Sequence, residues 1–282
     1  MLIRTFLKEI ASFSKRLLIK AKSLSGQILV NGAPQTVRYI LQEGDVLTVI
    51  LPKETIAPRM QKENLPLDIV YEDDYLLVVN KPAGIATIPS TNHPSGTIAN
   101  RLLYYYETKS LPYTVHIVTR LDRDTSGLVL IAKHQYSHSR LSVLQKENAI
   151  KRQYKAFVMG HLENAFGTIH QPIDRKPGSI IQRAVVANGK RAITHFHVEK
   201  KFRDYTFVQL QLETGRTHQI RVHMAYIGHP LLGDDLYDGI SPYIQRQALH
   251  CNKITFVHPF TNQLKVFQAP LPQDMLRLSS QV

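Results

Sequence analysis

The apolar runs of this chain have the length of strands. Residues 76–79, 128–132, 154–159, 192–198, 205–212, 249–257 and 264–267 are each short, rich in Val, Ile, Leu, Phe and Tyr, and bounded by polar or turn-forming residues. Runs of that kind form strands that bury at least one face. Residues 69–71 and 76–79 flank Glu72-Asp73-Asp74 as a hairpin, and 116–122 and 128–132 read as strands around a turn. Fewer stretches read as helix: 13–22, 97–108, 137–147 and 218–226. Strands that follow one another directly, with helices interspersed irregularly, predict an α+β fold. Its central sheet should be mixed and largely antiparallel, not doubly wound and parallel. No apolar run approaches the roughly 18 residues that a membrane span needs.

Residues 1–51 read as a small separate α/β module. Leu17, Leu18 and Ala21 share one helical face, while Lys15, Arg16, Lys20 and Lys22 stay in water. Ile28-Leu29-Val30 followed by Asn31-Gly32 reads as strand and turn, and Gly44-Asp45 precedes a further strand at 46–50. Residues 52–68 carry Pro52, Pro58 and Pro66 among charged and polar residues, a linker composition. Residues 69–282 then form the main domain.

The formal net charge is +13, which suggests a polyanionic partner. A basic soluble enzyme or a membrane-surface protein shows the same imbalance. The single cysteine, Cys251, excludes an intramolecular disulfide and suits a reducing compartment. Arg4, Lys8, Glu9, Lys15 and Arg16 interrupt every apolar stretch near the N-terminus, so no signal-peptide core is expected. We expect a soluble, cytoplasmic protein. No coiled-coil stripe suggests obligate assembly, so a monomer is expected.

The run most suited to chemistry is Val118-Thr119-Arg120-Leu121-Asp122-Arg123-Asp124-Thr125-Ser126-Gly127-Leu128. If 116–122 is extended, side chains alternate, and Arg120, Asp122 and Asp124 share a face opposite Leu121 and Arg123. A generic Arg-x-Asp is most often an ion pair on a solvated strand. Here apolar flanks on both sides place the charges at the edge of a core. A nearby arginine keeps a partly desolvated carboxylate ionised, and an ionised carboxylate there is a usable nucleophile or base.

A second run, residues 213–224, follows a strand and contains Arg216, Thr217, His218, Arg221 and His223. Thr217 is the expected helix cap. One of Arg216 and Arg221 is placed to reach a phosphate while the other points into a cleft. His218, His223 and His229 are spaced poorly for a helical metal pair, and Asp234, Asp235 and Asp238 miss the calcium-loop pattern, so a polar turn is expected there. No phosphate-cradling or dinucleotide glycine motif is present. We therefore expect neither metal nor cofactor.

The two runs together resemble the RluA family of pseudouridine synthases. Its signature is similar to residues 120–128 here. Further similar blocks follow in order: Asn80-Lys81-Pro82-Ala83-Gly84, residues 151–156, residues 214–223 and residues 228–234. The resemblance covers roughly residues 69–270. Residues 1–51 more weakly resemble the S-four type RNA-binding domain. In one departure, Thr119 stands where the family usually has His. By strand alternation Thr119 would point away from Asp122, so a local packing or hydrogen-bond change is expected.

The resemblance implies the pseudouridine synthase fold with a catalytic cleft. It also implies cofactor-free isomerisation of uridine in structured RNA, ribosomal or transfer RNA, with large-subunit rRNA first. Asp122 resembles the essential carboxylate, which attacks the ribose or removes its proton. Arg221 resembles its partner arginine, and Tyr154 the tyrosine that stacks on the base and assists proton removal at C5. Arg120 resembles the arginine that fills the place of a flipped base. Arg123, Lys15, Arg16 and Lys20 are the further expected RNA contacts. The competing classes are a ribosome-assembly factor that binds RNA without catalysis and a metal-dependent hydrolase. The joint presence of Asp122, Tyr154 and Arg221 speaks against the first, and the histidine spacing against the second.

Overall fold

In a computed structural model the chain is described over residues 1–23, 25–56, 60–90 and 93–280. It divides into two compact units. One comprises Met1–Val78, Ile88–Thr119 and Leu130–Glu147, the other Val79–Thr87, Arg120–Val129 and Asn148–Val282.

The first unit begins with helices α1 (Ile3–Glu9) and α2 (Lys15–Ala21) and strands β1 (Gln27–Val30), β2 (Ala33–Pro34) and β3 (Leu47–Ile50). Ser14, not Phe13, starts α2: its hydroxyl accepts from the Leu17 amide at 3.2 Å. Asn31 and Gly32 both have positive φ, 50° and 81°, which makes the tight hairpin turn between β1 and β2. The Asn31 side chain also bonds Asp45 and the Val46 amide, tying that turn to the next one. Ile3, Leu7, Phe13, Leu17, Leu18, Ala21, Ile28 and Val30 form the core of this module, as the α2 periodicity predicts.

Residues 52–56 and 60–68, expected to be a linker, lack regular structure and are tethered within the first unit. Pro58 lies outside the described residues. Glu54 accepts from the Thr114 and Gln135 amides and bonds His116, and Asn100 donates to the Gln61 carbonyl. Strands β4 (Ile69–Glu72) and β5 (Leu76–Lys81) form the expected hairpin, closed by the Asp73 carboxylate on the Tyr75 and Leu76 amides. Helix α3 (Ile98–Thr108) carries a capping box between Thr97 and Asn100. Strand β6 is only His116–Ile117, pairing with the end of β7 (Ser126–Ala132); α4 (Gln135–Lys146) follows. Strands β5 and β7 each pass from one unit into the other.

The second unit holds a mixed, largely antiparallel sheet. Strand β8 (Lys151–Met159) pairs antiparallel with β13 (Tyr205–Leu212) and β14 (Leu249–Val257). Strand β13 pairs with β12 (Ile193–Lys201), which pairs with β9 (Phe166–His170), and β15 (Leu264–Gln268) pairs with β14. The β7–β14 pair is parallel. A separate hairpin comprises β10 (Ile173–Arg175) and β11 (Arg183–Val185). Helices α5 (Gln219–Tyr226) and α6 (Gln273–Ser279) complete the unit. Among the described residues no helix is long and apolar enough to cross a membrane.

Two local expectations fail. The strand predicted over 116–122 stops at Ile117, and residues 118–125 are irregular, with the Thr125 amide bonded to the Asp122 carbonyl as a turn. Strand alternation therefore does not place Arg120, Asp122 and Asp124. Thr217 does not cap α5; His218 occupies that position with φ 57° and no capping bond, while the Gln219 side chain takes the Arg216 amide.

Candidate active site

Residues 120–125 form a loop whose backbone is held by side chains at three points within the second unit. The Thr87 hydroxyl accepts from the Leu121 amide at 3.2 Å and donates to the Leu121 carbonyl at 2.8 Å. The fully buried Lys81 ammonium donates to the carbonyls of Pro82, Ile85 and Arg123 at 2.9, 2.7 and 2.9 Å. Arg246 donates to the Asp124 carbonyl at 3.0 Å while its other nitrogens clamp Asp274 of α6 at 2.6 and 2.9 Å. Just beyond, Gly127 has φ 111°, and a Cβ there would sit 2.3 Å from the Cys251 carbonyl oxygen. Only glycine permits that approach of β7 to β14. Interlocked bonds of this kind remove the loop's freedom in advance of any ligand, which is how a reacting side chain is preorganised.

From this loop the Asp122 side chain projects, 29% exposed, with Oδ2 at 3.3 Å from Arg221 Nη1. Arg221 is the third residue of α5 and is buried. Its main partner is Asp234, fully buried, which takes Nε at 2.7 Å and Nη2 at 2.8 Å in a two-pronged pair. The guanidinium lies over the Tyr237 ring at 4.9 Å. Burial works against the Arg221 charge, but the bonds and charge of Asp234, with the charge of Asp122, more than offset it and hold the group cationic. One buried carboxylate thus fixes the arginine, which presents its remaining nitrogen to a second, half-exposed carboxylate. His218 Nε2 stands 3.9 Å from the same Asp122 oxygen, and its Nδ1 bonds the Tyr237 hydroxyl at 2.9 Å.

Tyr154 on β8 is 4% exposed, and its neighbour across the strand pair is Cys251 of β14. Burial raises the phenol's pKa well above its ordinary value; Arg152 opposes this, and Cys251 and the Asp122 charge add to it. Burial likewise pushes the Cys251 thiol up to about 12. Both groups therefore keep their protons at neutral pH. Arg152 Nη1 lies 3.5 Å from the Tyr154 oxygen, at the outer limit of a hydrogen bond.

The sequence-predicted residues thus separate into groups. Asp122, Arg221 and Tyr154 come together in the second unit. Arg120 is exposed and bonds to none of the described residues, so it is the ion-pair partner of neither Asp122 nor Asp124. Arg123 is exposed and pairs with Asp124 at 2.9 Å. In the first unit Lys15 and Arg16 are exposed, whereas Lys20 is half-buried and donates to Gln135 at 2.8 Å. His223 bonds the Thr194 hydroxyl and the Gln171 carbonyl, and His229 bonds the Met159 carbonyl. Sequence reasoning missed Asp234, read as part of a polar turn, although it ends a block similar to the family. It also missed Tyr237, Thr87 and Arg246, whose roles arise only from contacts across the fold.

The family model described as RNA pseudouridylate synthase matches residues 75–226, a span that includes Asp122, Tyr154 and Arg221. The Bacillus subtilis (strain 168) protein named "Uncharacterized RNA pseudouridine synthase YjbO" is 52% identical over 265 residues, covering 94% of each chain. The "Ribosomal large subunit pseudouridine synthase D" of Vibrio vulnificus (strain CMCP6) is 41% identical, over 95% of this chain and 86% of its own. Among solved structures, "Human RNA Pseudouridylate Synthase Domain Containing 1" superposes with a TM-score of 0.61 at 25% identity, over 73% of this chain and 83% of its own. The motifs around Asp122 and Arg221, the mixed sheet that carries them and this similarity along nearly the whole sequence agree: the chain belongs to the RNA pseudouridylate synthase family.

Proposed function

We propose that this chain isomerises uridines in large-subunit ribosomal RNA with Asp122 as the reacting carboxylate. The observation that carries the reading is the state of Asp122: a half-exposed carboxylate on an immobilised loop, one oxygen paired with a buried, permanently charged arginine. The substrate follows from relatives named as large-subunit ribosomal synthases at 41% and 39% identity.

Pseudouridine formation breaks the bond from ribose C1′ to uracil N1, turns the base, forms a bond from C1′ to C5 and releases the C5 proton. Whether the aspartate adds to C1′ or takes the C2′ proton, it must begin ionised, and Arg221 favours that form. Tyr154 supplies an aromatic wall for the base. Its raised pKa suits it to packing and hydrogen-bond donation, not to acting as a base in the resting enzyme. Exposed Arg120 fills the stack vacated by the flipped uridine, for which a planar guanidinium is well shaped. Residues 1–51 serve as an S-four type RNA-binding module through Lys15, Arg16 and Lys20, and Arg123 adds a phosphate contact near the site. The enzyme acts as a monomer in the cytoplasm.

The test is tritium release from ribosomal RNA fragments labelled at uridine C5. Wild-type protein should release tritium. Asp122→Asn should release none above background while binding the same RNA with unchanged affinity. Undiminished release by Asp122→Asn would sink the assignment of Asp122, and release from transfer RNA alone would replace the substrate.

A further inference from the structure

Asp122 Oδ2 faces two nitrogen groups, Arg221 Nη1 at 3.3 Å and His218 Nε2 at 3.9 Å, whereas Oδ1 bonds to none of the described residues. What His218 offers that oxygen depends on which ring nitrogen carries the proton. The surrounding bonds decide this. The Arg183 backbone amide, on β11, donates to the Tyr237 hydroxyl oxygen at 2.9 Å. That hydroxyl, in a residue only 9% exposed, must then place its own proton on an acceptor. His218 Nδ1, 2.9 Å away, is the acceptor provided among the described residues. An Nδ1 that accepts cannot carry the proton, so a neutral ring carries it on Nε2, the nitrogen facing Asp122. Burial, the largest influence, lowers the His218 pKa and favours this neutral form; Arg221 acts the same way and Asp122 opposes it.

The backbone supports the same reading. His218 holds φ 57° at the start of α5, in the left-handed region that a residue with a Cβ enters at a cost, and makes no capping bond there in return. The ring stands edge-on to Tyr237, with centroids 5.8 Å apart, and the same tyrosine ring lies beneath the Arg221 guanidinium. One tyrosine therefore orients both nitrogen groups that face Asp122.

We propose that His218 is a positioning residue for the reaction, held as the Nε2–H tautomer by the relay from the Arg183 amide through Tyr237. When substrate closes the site, Nε2–H comes within hydrogen-bond distance of Asp122 Oδ2. Oδ2 is then occupied by two donors, and Oδ1 is the oxygen that meets the ribose. No proton is transferred by His218. Bonds at active sites are commonly long before ligand binds, so a separation of 3.9 Å fits a donor awaiting closure.

The inference rests on Asp122 being the reacting carboxylate, and its test separates the two. Long-range proton–nitrogen spectra of protein labelled with nitrogen-15 histidine report the tautomer directly; the His218 signals are those lost in His218→Asn. The expected result is Nε2–H at neutral pH, with Tyr237→Phe shifting the ring towards a mixture. His218→Asn keeps the left-handed backbone and still accepts from Tyr237, but has nothing at the Nε2 place. In single-turnover tritium release both variants should be slowed roughly ten- to a hundredfold, the worth of a hydrogen bond to a charged group, with RNA affinity unchanged. His218→Gln, whose amide reaches further, should recover part of the rate. An Nδ1–H tautomer in the wild type, or full rates in both variants, overturns the proposal while an inactive Asp122→Asn still supports Asp122 itself. An active Asp122→Asn removes the reading on which the proposal stands.

Discussion

At the scale of single residues, the centre is two carboxylates sharing one guanidinium unequally. Asp234 holds Arg221 by two short bonds and is fully buried; Asp122 holds it by one longer bond and meets solvent. The inequality divides their work: Asp234 fixes the arginine, and the arginine biases Asp122. Asp234→Asn is nearly isosteric but leaves a buried cation with Asp122 as its remaining carboxylate. Breaking a buried pair from one side costs about 3 kcal/mol, so urea unfolding should show a loss of that order. The freed guanidinium should also draw closer to Asp122 and slow the reaction more than it weakens RNA binding. A variant as stable and as fast as wild type would show that Asp234 neither charges nor orients Arg221. Much of this centre was legible. Asp122 stood out because charges sat between apolar strands; the second charged run offered Arg216 and Arg221 alike, and the resemblance to the family singled out Arg221. Asp234 was not legible from composition, since an aspartate in a Gly-Asp-Asp segment has the same local pattern whether it faces water or a buried cation.

At the scale of elements, the strand-length apolar runs located β5, β7, β8, β12, β13, β14 and β15, because each buries at least one side chain row and the hydrophobic pattern reports burial. The pattern failed where backbone bonds, not burial, set the path. Residues 116–122 were read as strand, but beyond Ile117 the chain leaves the ladder, and Thr87, Lys81 and Arg246 take the backbone groups of Leu121, Arg123 and Asp124. Thr119 shows the same effect: it is buried, and its hydroxyl accepts from the Leu130 amide at 2.9 Å, a bond that a side-chain pattern cannot forecast. Residues 52–56 and 60–68 were expected to be a linker, but their tethering was not legible. Glu54 ties the segment to Thr114 just ahead of β6, to His116 of β6 at 2.8 Å and to the start of α4. Burial acts to raise the Glu54 pKa, but the His116 bond and charge and the two amides outweigh it, so the value falls below the ordinary 4.5. Close by, burial lowers His134 and His138 below 6.5. All three groups have depressed folded-state values, so the unfolded chain binds more protons. Their stabilisation is therefore full above the unfolded values and lost as pH falls through the folded ones. Thermal unfolding followed from neutral pH down through the whole carboxylate range should show wild type losing stability in two stages, the histidines first and Glu54 last. Glu54→Gln should be less stable at neutral pH and should lack the final stage. An unchanged acid limb in Glu54→Gln would remove Glu54 from this account.

At the scale of the whole molecule, the dominant fact is an excess of positive charge, +13, that the fold does not consume. The ion pairs around Arg221, Arg246 and Lys155 use cations internally, yet Arg120, Lys15 and Arg16 are exposed. Composition announced a polyanion, and the family supplies RNA. What composition could not say is which cations are free, because a lysine counts the same whether solvated or bound: Lys20 shares a helix with Lys15 but donates its ammonium to Gln135. Each cation that neutralises a phosphate releases a counterion, so RNA affinity should fall linearly with salt on logarithmic axes. Replacing Lys15 and Arg16 together by Ala should weaken binding across RNA sequences and flatten that slope by about 2, since each contact contributes close to one. Lys20→Ala should flatten it less, because its ammonium has an internal partner to lose. Single-turnover rates at saturating RNA should remain near wild type in all of these variants, since none touches the bonds that hold Asp122. Equilibrium binding to a ribosomal RNA fragment across a salt series, paired with tritium release, measures both quantities on one preparation. A slope unaffected by the double substitution would place the RNA contacts on another face of the chain, and a lost rate at saturation would show that residues 1–51 act on the chemistry and not on binding alone.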